Sequence, residues 1–368
     1  MSGKKIRAGY VLVNMEKNPT GINRYSQEIL KNLLNHEEIS MEILGENFLV
    51  PGKIRERYGL YTRLQGDIRR QKEIWAAAVM DRLDIVHSFY HPVPDKKGVV
   101  KILTIHDLSP LANEEWFADK KSYRYFNENI RHSAETADAV IAVSEATKRE
   151  ILHFFHIPEN KIRVIYEGLN CHQAGEEHPL DVHDKWGIEG EYILSVGTLQ
   201  PRKNLVSLIK AFCIYKGRHR ASDVKLVLTG QRGWSYNAIF DEAEAGKYVN
   251  DIIFTGYVSD EDLSHLYKNA LAFAYVSFYE GFGLPILEAM AHGKAVLSSN
   301  TTSMPEVGGD AVVYCNPYDL ESICDGLTCL IEDIGLRNGL EQKAELQAAK
   351  FSYKKAAEEI CDLYKEFV

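Results

Sequence analysis

Short runs of β-branched and other apolar residues alternate with longer amphipathic segments along the whole chain. This alternation is typical of βα units, in which helices pack on a parallel sheet. We therefore predict an α/β fold. The expected strands cover residues 6–12, 41–44, 84–87, 100–105, 139–143, 163–165, 192–196, 225–229, 251–254, 271–276, 295–298 and 311–314.

The chain is long enough for two domains. Its 368 residues exceed what one hydrophobic core usually serves, at roughly 100 to 200 residues per domain. Apolar periodicity is lost between residues 169 and 184, so we place the linker there. We predict a first domain at residues 1–168 and a second at 185–351. The segment 352–368, which begins at the capping residue Ser352, has a strong helix pattern.

Composition excludes several classes of protein. With 45% apolar and 26% charged residues, the chain is typical of a folded globular protein, and no stretch approaches the roughly 18 apolar residues that span a bilayer. The first apolar run ends at Asn14 without a signal-peptide cleavage site. The six cysteines form no CxxC pair. We therefore expect free thiols and a cytoplasmic location.

Charge is distributed unevenly along the chain. The net charge of −9 comes from the half after residue 170, and no nucleic-acid-binding motif is present, so we expect no nucleic-acid partner. Seven basic residues crowd into residues 53–72, from Lys53 to Lys72. Two interpretations of this segment stay open: a solvated helix face, or a peripheral contact with a membrane surface or a phosphorylated acceptor.

The most informative motif, SFYEGFGLPILEAMAHGKAV, follows the tenth expected strand. Gly281 and Gly283 let the backbone approach a ligand closely, and Pro285 suits the first turn of a helix. Glu280 and Glu288 flank this helix start. A carboxylate can accept hydrogen bonds from two adjacent hydroxyls of a ribose or hexose ring. Because Glu280, the two glycines and Pro285 surround the same helix start, a ligand site is favoured over a purely helix-stabilising role for Glu288.

Two adjacent cations, Arg202 and Lys203, lie in the segment GTLQPRKNL after the expected strand 192–196. Arginine offers a planar fork and lysine a point charge, and both suit a pyrophosphate. If a sugar–phosphate bond breaks, these cations can stabilise the charge that builds on the leaving phosphate. An isolated pair of this kind is usually surface charge, but the neighbouring glycine-rich loop favours a ligand contact.

The first domain offers two further candidates at the carboxyl ends of its strands, where ligands of open α/β sheets bind. Gly21 begins the helix of NPTGINRYSQEIL, which is a phosphate-compatible turn. His106 ends the strand in TIHDLSPL. We expect His106 to be functional, with a structural role as the alternative.

No metal ion or resident cofactor is expected. The run Asp260-Glu261-Asp262 superficially resembles a metal-binding DxD motif, but it follows Ser259 at a helix start, where acidic residues cap the helix. No His/Cys cluster has zinc spacing, and neither a Walker A string nor a complete dinucleotide fingerprint is present.

Together these segments resemble glycosyltransferase family 4, over nearly the whole chain. The stretch EGFGLPILEAMAHG is similar to the family's E-x7-E motif at Glu280 and Glu288. The resemblance extends, in order along the chain, to the segments TIHDL, ADAVIAVSEATK, GTLQPRKNL, FTGYVSDEDL and TTSMPEVGGDA. It implies a GT-B fold, with two Rossmann-like domains facing a central cleft and a C-terminal helix that returns to the first domain.

The resemblance also implies a role for each candidate residue. Arg202 and Lys203 would hold the donor diphosphate, Glu288 the nucleotide ribose, and the backbone around Val258 the base. Glu280 would contact the donor sugar. The backbone amides after Gly281, those of Phe282, Gly283 and Leu284, would bind the sugar hydroxyls. Gly21 would approach the diphosphate, and His106 would lie beside the sugar.

Two segments depart from the family pattern. Thr20-Gly21-Ile22-Asn23 stands where many members carry a glycine pair and a further glycine. Glu167-Gly168-Leu169-Asn170 stands where many members have an NGVD-like turn. The first departure weakens the expected contact of Gly21 with phosphate.

The implied reaction is the metal-independent transfer of a hexose from a nucleotide sugar to an acceptor hydroxyl, with retention of anomeric configuration. The acceptor would be a saccharide or a lipid-linked saccharide. The motifs look most like those of mannosyl- and rhamnosyl-transferring members that build bacterial surface polysaccharides, which favours GDP-mannose over UDP-linked hexoses. Three alternatives stay open: a nucleotide-sugar epimerase, a phosphorylase, and an inactive nucleotide-sugar-binding protein. The sequence does not indicate an oligomeric state.

Overall fold

The computed structural model describes residues 5–11, 21–44, 82–89, 93, 97–116, 120–169 and 185–368. The chain divides into two compact units. The first unit consists of Met1–Leu111, Lys121–Asn170 and Ser352–Val368, and the second of Ala112–Lys120 and Cys171–Phe351. The basic segment 53–72 and most of the expected linker, 170–184, lie outside the described residues.

The first unit is built on a six-stranded parallel sheet, with the strand order β2-β1-β3-β4-β5-β6. Its strands are β1 (Ile6–Val11), β2 (Ile39–Leu44), β3 (Ile85–Ser88), β4 (Val100–Ile105), β5 (Ala139–Ala142) and β6 (Ile162–Val164). The α-helices among its described residues are α1 (Gly21–Leu34), α2 (Ser109–Ala112), α3 (Lys120–Thr136), α4 (Glu145–Phe154) and α12 (Tyr353–Lys365).

The second unit has its own six-stranded parallel sheet, in the order β12-β11-β10-β7-β8-β9. Its strands are β7 (Tyr192–Val196), β8 (Lys225–Thr229), β9 (Ile252–Gly256), β10 (Ala272–Tyr275), β11 (Val296–Ser299) and β12 (Val312–Cys315). Its α-helices after β7 are α5 (Leu205–Arg218), α6 (Asn237–Ala245), α7 (Asp260–Asn269), α8 (Leu284–Ala291), α9 (Met304–Gly308), α10 (Leu320–Glu332) and α11 (Ile334–Ala348).

The predicted α/β fold is confirmed. Each of the twelve predicted strands overlaps a strand of the structure, and the bounds differ by a few residues at most. The sheets form because the strands are apolar on both faces, as parallel strands covered by helices must be. Ser144 caps α4 as predicted, with its hydroxyl accepting from Thr147 N at 3.0 Å. The described part of the chain contains no helix long and apolar enough to cross a bilayer.

The closing helix, α12, belongs to the first unit. Ser352 caps it, accepting from Lys355 N at 3.1 Å. Tyr353, Ile360 and Tyr364 are buried in the core that also contains strands of the first sheet. The predicted return of the C-terminal helix to the first domain is thereby observed, and its apolar face supplies the burial that holds it.

The cysteines within the described residues are free. They are Cys213, Cys315, Cys324, Cys329 and Cys361. Burial raises the pKa of Cys315 to about 12, which keeps this thiol protonated and unreactive.

Candidate active site

Three loops of the second unit converge at the carboxyl edge of its sheet. The first follows β7 and contains a single 3-10 turn, Pro201–Lys203. Asn204 ends that turn in the left-handed conformation, at φ 56°, and is buried. Its side-chain amide donates to Val276 O at 3.0 Å and to Pro317 O at 2.8 Å. The turn is therefore tied to the ends of two other strand–loop segments.

Arg202 and Lys203 both bind the carboxylate of Glu280. Arg202 Nη1 lies 2.9 Å from Glu280 Oε2, and Lys203 Nζ lies 2.7 Å from Glu280 Oε1. The three side chains are 13%, 12% and 8% exposed, so they form one ionic cluster that is largely shielded from solvent. Lys203 also lies over the ring of Tyr275, 4.8 Å from its centre. The cluster carries two positive charges against one negative charge.

Electrostatics keep Glu280 ionised. Burial opposes its charged form, but the positive charges of Arg202 and Lys203 outweigh burial and lower its pKa to about 2. Burial and the nearby Glu280 charge raise the pKa of Tyr275 well above its usual value. A general-acid role for Glu280 is thus unfavourable at neutral pH, while the cluster suits an anionic ligand.

The glycine-rich loop follows β10 and leads into α8. Gly283 occupies its N-cap position at φ +112°, a conformation that side chains other than glycine rarely adopt. Leu284 begins the helix and is half-buried, and the amide of Ile286 donates to Gly283 O at 3.0 Å. Gly281 and Phe282 are buried in the same loop. The predicted residues of this loop therefore lie together at the start of one helix.

The loop after β11 holds the glycine-rich loop in place. Ser303 is fully buried and its hydroxyl donates to Glu280 O at 2.9 Å and to Phe282 O at 2.7 Å. Thr302 Oγ1 accepts from Glu280 N at 3.1 Å. These contacts fix the backbone on both sides of Gly281, and they set the position of the Glu280 carboxylate.

Glu288 lies one turn into α8 and is half-buried. The hydroxyl of Tyr267 donates to Glu288 Oε2 at 3.0 Å. The ring of Tyr267 stacks on His292, whose Nδ1 lies 2.8 Å from the carbonyl oxygen of Glu288. Tyr267 thus orients the Glu288 carboxylate, which keeps further acceptor capacity for a ligand hydroxyl.

Val258 lies in the loop between β9 and α7 and is buried. The neighbouring acidic run occupies the first turn of α7, where Ser259 caps the helix and accepts from Asp262 N at 3.1 Å. Asp262 also pairs with Lys185 at 2.7 Å. The predicted helix start after Ser259 is confirmed, and the acidic run lies in the first turn as expected.

The first unit contains the other two candidates. Gly21 is the exposed first residue of α1, and a Cβ built there would meet nothing within 4 Å. His106 directly follows β4 and is buried. Its Nδ1 lies 2.8 Å from Oε1 of Glu167, which is also buried.

Sequence reasoning missed four residues that shape these sites. Asn204, Thr302 and Ser303 hold the loops of the second unit, and Glu167 binds His106. Each lies inside a segment that the sequence had marked, but their partners are remote along the chain. A clue was available only for Glu167, which departs from the family's usual turn.

One group of potential metal ligands occurs within the described residues. His36, Glu38 and Cys361 offer ligand atoms that lie within 4.8 Å of one another. Lys365 already pairs with Glu38 and with Asp362, and burial raises the pKa of Cys361, which disfavours the thiolate that a metal requires. This group lies beside α12 and contains none of the candidate active-site residues.

Comparison with known families finds two matches. Residues 181–347 match the model described as glycosyl transferases group 1, and residues 31–173 match glycosyltransferase family 4. These ranges contain Glu280 and Glu288 in the first case and His106 in the second.

Several mannosyltransferases are similar in sequence. O-antigen chain mannosyltransferase B of Escherichia coli is 32% identical, covering 94% of this chain and 96% of that protein. The serotype-specific mannosyltransferase WbdA of Escherichia coli is 31% identical over 70% of this chain, and the match spans only 32% of that longer protein. O-antigen chain mannosyltransferase RfbU of Salmonella typhimurium is 26% identical over 65% of this chain and 62% of its own.

Solved structures share the fold. A glycosyltransferase from Rickettsia africae superposes with a TM-score of 0.74 at 18% identity, covering 99% of this chain and 98% of that one. WaaG, a glycosyltransferase involved in lipopolysaccharide biosynthesis, gives a TM-score of 0.72 at 14% identity over 97% of this chain and 99% of its own. The predicted GT-B class is thereby confirmed.

Proposed function

This chain belongs to glycosyltransferase family 4, and we propose that it transfers mannose from GDP-mannose to a saccharide hydroxyl with retention of anomeric configuration. Its class, a hexosyl-transferring glycosyltransferase, follows from the family and from its 32% identical relative. The observation that carries the finer proposal is the ionic cluster of Arg202, Lys203 and Glu280. It places two cations at the carboxyl edge of a parallel sheet, where a diphosphate would bind.

Arg202 and Lys203 would act mainly as the sugar–phosphate bond breaks. The bond between the anomeric carbon and the β-phosphate oxygen cleaves, and negative charge moves onto the leaving diphosphate. The acceptor oxygen bonds to the same carbon from the same face, and its proton passes to the departing phosphate. The cations are oriented beforehand by Glu280, so little reorganisation is needed when the charge appears.

Two features of the second unit would serve a nucleotide ligand. Glu288, oriented by Tyr267 at 3.0 Å, would accept hydrogen bonds from ribose hydroxyls. The backbone around Val258 would meet the base. The donor sugar would lie against Glu280 and the amides of Phe282 to Leu284, while Gly21 and His106 are the first unit's candidates for the diphosphate and the sugar.

The choice of mannose rests on the relatives. Three of them are named as mannosyltransferases, and two of those names specify an O-antigen chain. By analogy, the acceptor is a growing cell-surface polysaccharide or its lipid-linked precursor, made on the cytoplasmic side of the membrane. A peripheral membrane contact through residues 53–72 stays a prediction, because that segment lies outside the described residues.

A donor panel tests the proposal. GDP-mannose, UDP-glucose, UDP-galactose and dTDP-rhamnose are compared first for thermal stabilisation, since a ligand at about 100 times its Kd adds roughly 2.7 kcal/mol to stability. Mannan oligosaccharides are then added as acceptors, and the new linkage is assigned by NMR. We expect stabilisation by GDP-mannose and an α-linked mannosyl product. An inverted product, or transfer only from another donor, would contradict the proposal.

The same assay separates the alternatives. Epimerised donor in the absence of acceptor would identify an epimerase, and phosphate-dependent cleavage of the glycan would identify a phosphorylase. Tight donor binding without any reaction would identify a binding protein. A chelator arm tests metal independence: we expect EDTA to leave transfer unchanged, because Arg202 and Lys203 supply the positive charge.

A further inference from the structure

We infer that Glu167 is a positioning residue that holds His106 in the Nδ1–H tautomer, so that His106 Nε2 accepts a hydrogen bond from a sugar hydroxyl. This inference rests on the proposed function for the identity of the ligand. The pairing itself rests on the geometry of the first unit alone.

The two side chains form a buried hydrogen-bonded pair. His106 Nδ1 lies 2.8 Å from Glu167 Oε1, and the side chains are 8% and 7% exposed. A carboxylate only accepts hydrogen bonds, so the proton between them belongs to Nδ1. The remaining nitrogen of a neutral ring then has a lone pair to offer. A carboxylate that fixes the tautomer of a histidine in this way is a recurring device in enzymes.

The second nitrogen of His106, Nε2, is available to a ligand as far as the described residues show. Nε2 is buried and has no hydrogen-bond partner within the part of the chain that the structure describes. A buried polar atom without a partner costs about 1–3 kcal/mol, so such atoms in native proteins call for an explanation. His106 follows β4 at the carboxyl edge of the sheet, where ligands of α/β proteins bind. A ligand hydroxyl would satisfy Nε2.

Neighbouring groups restrict the ring further. Tyr25 of α1 packs edge-on against His106, with ring centres 4.8 Å apart and an interplanar angle of 83°. Burial and the Glu167 charge raise the pKa of Tyr25, so its hydroxyl stays neutral. Another titratable group near His106 is His87; burial and the proximity of His106 lower its pKa to about 3, so it too stays neutral.

The position of Glu167 depends on the C-terminal segment. Leu169 pairs with Ser352 in an isolated parallel bridge just before α12. A Cβ at Gly168 would collide with the carbonyl carbon of Ser352, so only glycine fits this close approach. The turn that carries Glu167 is therefore anchored by backbone contacts, which its side-chain variants leave in place. Many family members have an asparagine-containing turn here, and an amide can either donate or accept, so it would not impose the tautomer.

Nitrogen-15 NMR of the histidine rings tests the tautomer without any activity measurement. The protein has 13 histidines, and the His106 signals are identified by their loss in His106→Ala. At mildly alkaline pH we expect His106 to carry its proton on Nδ1. A proton on Nε2, or on both nitrogens, would overturn the inference. If the expected tautomer is found but no donor yields transfer, the proposed function fails while the pairing stands.

A double-mutant cycle tests the role in transfer. We expect Glu167→Gln to lower kcat/KM by about ten- to a hundredfold, and to have little further effect in a His106→Ala background. An equal loss in both backgrounds would show that Glu167 acts independently of His106 and would overturn the inference. Arg163→Ala is the control, since Arg163 lies on β6 near Glu167 in sequence and its exposed guanidinium contacts Asn160 O and Glu366 rather than His106 or Glu167; we expect it to retain full activity.

Discussion

The guanidinium of Arg202 donates a 2.9 Å hydrogen bond to the carboxylate of Glu280, seventy-eight residues further along the chain. Lys203 donates to the other oxygen of the same carboxylate at 2.7 Å. Glu280 is therefore the anion that orients both cations. An incoming diphosphate would meet cations that are already in place, with an excess of one positive charge.

Replacing Glu280 with Gln should separate orientation from acid–base chemistry. The amide cannot neutralise either cation, so we expect a lower melting temperature without ligand and a larger stabilisation by GDP. Turnover should fall about ten- to a hundredfold, because charge-assisted hydrogen bonds are worth roughly 1.5–3 kcal/mol. Glu321→Gln, which removes an exposed partner of Arg218, is the control. Weaker GDP binding in Glu280→Gln than in the wild type would contradict this account.

The proposed ribose contact of Glu288 can be tested with a matched ligand. We expect 2′- or 3′-deoxy-GDP to bind the wild type about tenfold more weakly than GDP, because one hydrogen bond to the carboxylate is lost. In Glu288→Ala this difference should vanish, as measured by isothermal titration calorimetry. A deoxy penalty that persists in the variant would assign the ribose to another residue.

Ser303→Ala should loosen the glycine-rich loop. The substitution leaves the carbonyl groups of Glu280 and Phe282 without their buried donor, at a cost of about 1–3 kcal/mol. We expect a lower melting temperature and a raised KM for the donor. Ser298→Ala is a matched control, because Ser298 is equally buried and makes one 3.4 Å bond to Ser299 O. Equal behaviour of the two variants would argue against a role of Ser303 in holding this loop.

His87 should make the first unit acid-sensitive. Burial, helped by the nearby His106, lowers its pKa to about 3, while the unfolded chain has the ordinary value of 6.5. Between these values the unfolded state binds the proton and the folded state does not, so stability falls as pH drops below 6.5. The slope is at most about 1.4 kcal/mol per pH unit.

Hydrogen–deuterium exchange of β3 and α12 measures this effect, because His87 contacts Tyr364 of α12 at 2.7 Å. We expect protection in the wild type to decline between about pH 6.5 and 5. His87→Asn should reduce that decline, since the titrating group is gone. The wild type and the variant are compared at the same pH, so that the pH dependence of the intrinsic exchange rate cancels. An identical decline in both proteins would assign the acid sensitivity to other groups.

Local sequence signals were enough to predict the fold. Apolar runs such as 192–196 and 225–229 became strands because parallel strands are buried on both faces, and Ser144 and Ser352 capped the helices that their positions indicated. The exact strand ends differed from the predicted ones by a residue or more, since the last hydrogen-bonded residue of a strand depends on where the adjacent strand ends. The packing of α12 on the first unit was expected only from the family resemblance, because the apolar pattern of the helix does not indicate which surface it contacts.

Only part of the candidate site could be predicted from the sequence. Glycines, paired glutamates and adjacent cations each carry a local pattern, but the bond from Lys203 to Glu280 joins residues 77 positions apart. The same holds for Glu167 and His106, which are 61 positions apart and belong to segments with no shared signal. Contacts between residues so far apart in the sequence form because the sheet brings the carboxyl ends of separate strands to one edge.

The rate of mannosyl transfer by Arg202→Ala and Lys203→Ala tests the central claim most directly. Each variant is compared with Arg218→Ala, whose arginine makes an exposed ion pair with Glu321, and circular dichroism checks that all three fold. Removal of a charge that stabilises the transition state lowers kcat by roughly a hundredfold or more. We expect that loss in Arg202→Ala and Lys203→Ala and full activity in Arg218→Ala. Wild-type turnover in folded Arg202→Ala and Lys203→Ala would contradict the account.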